Sequence, residues 1–245
     1  MSNTSYQPKA LLSWSSGKDS AWALHIVQQE DKFNVVGLLT SINETHDRVA
    51  MHAVRSQLLR QQARAVGLPL REVLIPSPCT NAQYQERMSR EVERAVAEGI
   101  THIVFGDLFL EDIRAYREKQ LEGTGITPLF PLWKIPTDTL ARRMVQGGLV
   151  AHLTAVDPKQ CSPELVGKKY DLDFINSLPP SVDPCGENGE FHTFVSEGPM
   201  FKMPVPIRVG EKVERGGFHF CDLLPADQPE QSQTSTADSR DTGSK

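Results

Sequence analysis

Three clusters in this 245-residue sequence carry side chains suited to chemistry. In the first, Ser15-Ser16-Gly17-Lys18-Asp19-Ser20, small residues let an anion approach the backbone closely, hydroxyls can donate to it, and Lys18 adds a positive charge beside Asp19. The second is Gly186-Glu187-Asn188-Gly189-Glu190-Phe191-His192. It packs Glu187, Asn188, Glu190 and His192 into six positions, and Glu190 paired with His192 can orient an amine or activate a nucleophile by proton transfer. A hairpin with solvated acids is the plainer reading of the same residues. The third is Gly106-Asp107, followed by Arg114 and Arg117. Asp107 reads either as a contact to ribose, magnesium or substrate, or as a helix N-cap. Arg114 and Arg117 are three apart and share a helix face, which grips phosphate or carboxylate or is simply a solvated charged face.

The elements that must hold these clusters follow from hydrophobic patterning. Ala10–Trp14 reads as a short buried strand that stops at the Ser15-Ser16-Gly17 turn, and a helix opening near Asp19 or Ser20 runs through Val27. A helix N-terminus at a tight turn is an anion site, because its free N–H groups and dipole point at one spot. Residues 33–40 (FNVVGLLT) form a near-continuous apolar second strand, of the kind covered on both faces. Ser41–Arg48 reads as a polar loop at its C-terminal end, so Leu39 and Thr40 are placed to meet an adenine through backbone groups. Further helices are expected over Val49–Val66, Asn81–Ala97, Ile113–Gly123 and Thr137–Gly147, and strands over Leu70–Ile75, Thr101–Phe105 and Leu149–Val156. Ile126–Ile135 is apolar and proline-rich and reads as a packed crossing segment, Asp157–Lys169 as a loop, and Asp171–Leu178 as a short helix. His192 lies on the same side as Glu190 if a strand starts there, and short strands follow at Val205–Arg208 and Gly217–Cys221. Strand–helix alternation predicts an α/β protein with a doubly wound parallel sheet. From Pro225 to Lys245 almost nothing is apolar, and a disordered tail is expected.

Composition narrows the function. At 39% hydrophobic the chain can build a real core, and a net charge of -5 without a long basic run argues against a dedicated nucleic-acid surface. The four cysteines stand far apart, with no C-x-x-C pair, so neither a zinc site nor a disulfide framework is indicated and a reducing, cytoplasmic setting is expected. Met1–Lys9 is short and polar, without a signal-peptide apolar region, and no stretch is long enough to span a bilayer.

The first cluster does not fit the G-x-x-x-x-G-K-[ST] loop or G-x-G-x-x-G. Ser-x-Gly-x-Asp-Ser at the end of the first strand resembles the pyrophosphatase loop, or PP-loop, of the adenine nucleotide alpha-hydrolase superfamily, whose common form is S-G-G-x-D-S. Ser16 departs from that form. If its position needs a positive φ, serine costs about 1 kcal/mol there. With Gly106-Asp107, Arg114, Pro131-Leu132-Trp133 and Gly186–Phe191 added, the chain from about Lys9 to Leu224 resembles the diphthine–ammonia ligase family, in its short, bacterial-type form.

The resemblance implies a nucleotide-binding domain of HUP type over residues 1–148, an acceptor-substrate α+β part over 149–224, and the tail over 225–245. It implies ATP and Mg²⁺ as cofactors, with ammonia and an unidentified carboxylate, on a small molecule or a protein side chain, as the other reactants. A homodimer is compatible with it. Ser15, Ser16, Gly17, Lys18, Asp19 and Ser20 would cradle pyrophosphate, with Leu39, Thr40, Gly106 and Asp107 completing the nucleotide site. Lys18, Asp19, Glu187 and Glu190 would be catalytic, and Arg114, Arg117 and Asn188 would meet the acceptor, as would His192, which is added from spacing alone. No protein metal-ligand set is assigned. Two rival functions, a nucleotide sensor without turnover and a tRNA-modifying PP-loop enzyme, lack respectively a need for the Glu187–Glu190 motif and the clustered cysteines and basic surface.

Overall fold

The computed structural model describes residues 7–44, 48–49 and 54–226. Five strands form an all-parallel sheet: β1 (Lys9–Ser13), β2 (Asn34–Asn43), β4 (Leu70–Ile75), β5 (Ile100–Val104) and β6 (Thr127–Leu129). Their order is β4-β2-β1-β5-β6. A two-residue strand, β3 (Arg48–Val49), pairs antiparallel with the end of β2. The helices between them are α1 (Lys18–Glu30), α2 (Ser56–Val66), α3 (Asn81–Ala97) and α4 (Glu111–Leu121). The chain reverses its direction of travel across the sheet between β1 and β5, and the crevice beyond the carboxyl ends of such a strand pair is where doubly wound sheets bind ligands. The Ser15–Ser20 loop leaves β1 and Gly106-Asp107 leaves β5, so topology alone puts two of the three clusters at that crevice.

After α5 (Thr137–Gln146) comes a second sheet, antiparallel throughout: β7 (Val150–Val156), β8 (Lys169–Tyr170), β9 (Phe191–Glu197), β10 (Ile207–Arg215) and β11 (Phe218–Pro225), with α6 (Leu172–Ser177) beside it. One buried apolar cluster runs through both halves, joining Leu12, Trp14 and Leu24 to Leu153, Phe194 and Leu223. No described helix is long and apolar enough to cross a membrane.

Several boundaries differ from expectation for physical reasons. The second strand runs on through Ser41 to Asn43, because β4 pairs with it over that length and Ile42 is buried between. The polar loop expected over Ser41–Arg48 is therefore strand at both ends, and its residues 45–47 lie outside the described residues. The helix expected from Val49 starts at Ser56, and Val49 itself is strand. Within Ile126–Ile135, Thr127–Leu129 is the fifth parallel strand. Among the described residues it pairs only with β5, and an edge strand tolerates the Pro128 that hid it. Lys169, the last residue of the expected loop, opens a two-residue strand with Tyr170, and the C-terminal hairpin is longer than predicted. Pro225 closes β11, and residues 227–245 of the expected tail lie outside the described residues.

Candidate active site

The β1–α1 turn is tied by its own hydroxyls. Ser15 Oγ lies 3.0 Å from Ser20 Oγ and accepts from the Gly17 N–H at 3.3 Å, while Ser20 Oγ donates to the Gly17 carbonyl at 3.0 Å. Ser16 has φ 70°, the left-handed conformation the sequence left open, and its buried hydroxyl finds no hydrogen-bond partner. Its carbonyl accepts from the Val195 N–H at 3.0 Å, which stitches the turn directly to β9. Buried Gln62 of α2 braces the same joint: Nε2 donates to the Ser16 and Val195 carbonyls at 3.0 and 2.6 Å, and Oε1 accepts from Trp14 Nε1 at 2.9 Å.

The second cluster therefore lies on the first. Lys18 is buried; its ammonium donates to the Asp19 carboxylate at 2.8 Å and to the Cys185 carbonyl, with the rings of Tyr170 and Phe191 each 5.8 Å away. Burial pulls the Lys18 ammonium down, yet Asp19, Cys185 and Glu187 together hold it above its ordinary value, so it stays charged. Gly186 has φ 69°, and a Cβ there would come within 2.9 Å of the Phe191 carbonyl, so the 183–190 loop can fold back only with glycine at this point.

Glu187 reaches from that loop to the third cluster, accepting the Leu108 N–H at 3.0 Å. Gly106 makes close approach possible there, since a Cβ would stand 2.8 Å from the Asp19 backbone. Burial pushes the Glu187 carboxyl up to about 7, with Asp19 and Asp107 adding to it against the Leu108 hydrogen bond and Lys18. Burial also raises Asp19 and Asp107, opposed by Lys18 and Arg117 respectively. His192 is held down to about 4, by burial and by Lys18, so it is a neutral imidazole at ordinary pH.

Asp19, Asp107, Glu187, Lys18, Arg117 and His192 all line one polar cavity of ≈ 240 Å³. It shares Ser13, Ser15, Phe105 and Arg117 as wall residues with an adjoining, mostly apolar cavity of ≈ 980 Å³, whose wall also includes Leu39 and Thr40. A small polar chamber joined to a large apolar one suits a polyphosphate carrying an aromatic base. Arg117 stands at the junction, 3.6 Å from the Asp107 carboxylate and stacked 4.9 Å over Phe105.

Other predicted residues sit differently. Arg114 does share a face with Arg117, over one aromatic row, but packs 4.8 Å from both Phe130 and Trp133, pairs with Glu118, and lines neither cavity. Glu190 and Asn188 also line neither. The Glu190 carboxylate faces inward, accepting the Asp183 N–H at 2.9 Å, the Asn188 N–H at 2.9 Å and Asn188 Nδ2 at 3.1 Å. It organises the loop rather than facing a ligand. Ser16 is likewise behind the cavity wall, and the Leu39 carbonyl and Thr40 hydroxyl are bonded to the Trp14 backbone. Sequence reasoning missed Gln62, Thr193, the Cys185 carbonyl and Tyr170, whose hydroxyl donates to the Pro184 carbonyl at 2.8 Å.

Among the described residues, no group of three or more His, Cys, Asp or Glu is arranged to hold a metal ion. Asp107 Oδ2 is buried without a hydrogen bond, and with Asp19 it supplies oxygen donors of the type Mg²⁺ takes when phosphate completes its shell. Burial pushes the thiols of Cys161 and Cys185 up to about 11 and about 12, which leaves them protonated and poor nucleophiles.

Residues 8–128 match the diphthamide synthase N-terminal domain, and residues 136–224 match the diphthamide synthase C-terminal domain. No curated protein matches the chain closely enough to count as a relative.

Proposed function

The chain belongs to the diphthamide synthase family, whose members are PP-loop enzymes that use ATP, and from that premise we propose that this protein is an AMP-forming ligase joining a carboxylate to ammonia. One observation carries the reading: the β1–α1 turn and the Gly186–His192 segment wall a single polar cavity. In the proposed reaction a carboxylate oxygen attacks the α-phosphorus of ATP, and the bond from that phosphorus to the bridging oxygen of the β-phosphate breaks. Pyrophosphate leaves, and ammonia then attacks the acyl carbon, displacing AMP. Direct amide formation from carboxylate and ammonium is uphill in water, so activation must come first.

The residues divide this work. The N-terminus of α1 offers the positive end of its dipole to the leaving diphosphate, and Arg117 meets charge at the mouth between the chambers. Three carboxylates around the polyphosphate chamber would repel a nucleotide unless a cation shared it. Asp19 and Asp107 would hold Mg²⁺ together with phosphate oxygens, and the ion would supply charge neutralisation. Glu187, raised to about 7, is poised to accept the proton that the attacking amine sheds. His192 adds a neutral polar wall.

The test is to incubate the protein with ATP and Mg²⁺, with and without ammonium and a panel of carboxylic acids, and to measure AMP and pyrophosphate. Stoichiometric AMP and pyrophosphate that depend on an acid support the ligase. AMP or ATP bound tightly with no pyrophosphate under any condition would instead identify a nucleotide sensor.

A further inference from the structure

The larger chamber holds more than a nucleoside. Its volume of ≈ 980 Å³ lies at the upper end of the roughly 300–1,000 Å³ found for sites that bury a drug-sized ligand. The nucleoside end expected near Leu39 and Thr40 occupies only the side beside β1 and β2. The rest is a wedge between α3 and α4. Tyr84, Met88, Val92 and Val96 follow one another at intervals of four along α3, which sets them on one face of that helix, and all line the chamber. Tyr116 and Leu121 of α4 line it from the other side.

Both helices are underpacked. Of the 17 residues of α3 only Val92 and Ala95 are buried, and of the 11 of α4 only Leu121. Val96 and Tyr116 remain 39% and 38% exposed. Tyr84, Met88 and Val92 pack against the sheet's apolar cluster on one side and line the chamber on the other. Among the described residues, the only charged side chains lining the chamber are Glu93 and Arg117, and Arg117 marks its inner end, where it meets the polyphosphate chamber.

We propose that the α3–α4 wedge is the acceptor subsite, and that the acceptor is a small carboxylic acid with a bulky apolar or aromatic body. This rests on the ligase reading given above. The body fills the wedge against Tyr84, Met88, Val92 and Tyr116, and the carboxylate points inward to Arg117, at the neck where the α-phosphate of a nucleotide spanning both chambers would lie. Substrate choice then resides in the packing of two surface helices, while activation resides in the loops.

The probe is 2-naphthaleneacetate, whose fluorescence reports burial, titrated into the full chain with and without saturating AMP. Its neutral analogue 2-naphthaleneethanol and plain acetate serve as controls. The expected result is binding that persists with AMP present, that is about tenfold weaker for the neutral analogue, and that is undetectable for acetate. Met88→Trp and Gln120→Trp each fill the wedge from a partly open helix face. Each should weaken the probe about tenfold while leaving the AMP affinity within about twofold. Mutual exclusion of the probe and AMP, or a probe affinity indifferent to both substitutions, would overturn the subsite while leaving the ATP reading intact. Absence of probe binding would also overturn it, as expected if the acceptor is a protein side chain. Failure of AMP and ATP to bind at all would bring down the underlying ligase reading instead.

Discussion

The backbone N–H of Lys18 donates to the Thr193 hydroxyl at 3.1 Å. Lys18 is the first residue of α1, and Gly17 before it has no side chain with which to cap the helix. The orphan donor that a serine or aspartate would ordinarily satisfy is met by a residue of β9, in the second sheet. The phosphate loop is thus completed by the C-terminal half, and neither half has a finished site alone.

Replacing Thr193 by valine keeps the shape and removes the acceptor. A buried N–H left unsatisfied costs about 1–3 kcal/mol. We expect Thr193→Val to lower stability by that order and to weaken ATP binding, and Thr193→Ser to restore most of both. Chemical denaturation and nucleotide titration check this. An unchanged Thr193→Val would show that water or a shifted loop replaces the hydroxyl.

Glu187 links stability and turnover to pH. Its carboxyl is raised from 4.5 to about 7 in the folded protein, so between those values the native state holds the proton that the unfolded chain has lost. Stability from this group is therefore full below about 4.5, falls as pH rises to about 7, and is level above. His192, lowered from 6.5 to about 4, contributes the opposite slope between those values, so the comparison must be made against Glu187→Gln, in which the histidine term cancels. Relative to wild type the glutamine variant should gain stability steadily from pH 5 to pH 7. At a constant concentration of free ammonia, AMP release by wild type should rise as Glu187 loses its proton, and the variant should lose that rise. A variant that kept the wild-type pH profile would remove Glu187 from the proton transfer.

Glu190 acts through a relay. Its carboxylate holds the Asp183 N–H, Asp183 Oδ1 accepts the Cys185 N–H at 2.7 Å, and the Cys185 carbonyl holds the Lys18 ammonium. Glu190→Gln turns one accepting oxygen into a donor facing the N–H groups of Asp183 or Asn188. We expect a loss of about 2 kcal/mol in stability. ATP affinity should fall along with turnover, because the loop that positions Lys18 loosens. Normal stability and ATP affinity with turnover alone abolished would mean instead that the carboxylate meets the reactants itself.

What could be read in the sequence was what local chemistry encodes. The parallel sheet, the turn after β1 and the glycine-flanked loop each show in contiguous residues, whereas their meeting depends on pairings such as Ser16 with Val195, which no local pattern carries. β6 stayed hidden because Pro128 mimics a loop, and Ser41–Asn43 because polar residues alternate with Ile42 there. Gln62 did leave a signal: it falls four after Leu58 and three after Leu59, on the buried face of α2, where a polar residue needs a buried partner. The opposite roles of Glu187 and Glu190, one lining the cavity and one behind it, could not be separated, since a loop has no period that assigns its faces.

Ser16 offers the sharpest test of the loop itself. A non-glycine residue in the left-handed region costs roughly 1–2 kcal/mol. Its hydroxyl is buried without a partner, a further penalty of about 1–3 kcal/mol at most. Glycine removes both but adds freedom to the unfolded chain, returning about 0.4–1 kcal/mol. Ser16→Gly should therefore stabilise the protein by about 1 kcal/mol from the backbone terms, with relief of the buried hydroxyl adding to that. Ser16→Ala, which sheds the hydroxyl yet keeps the strained φ, should gain less. Both leave the Ser16 carbonyl able to accept from Val195 and Gln62, and Ser16 lines neither cavity, so nucleotide affinity should hold in each. Denaturant midpoints rank the three proteins. If glycine proved the least stable, the serine side chain would be supporting the turn through an interaction that outweighs its backbone conformation.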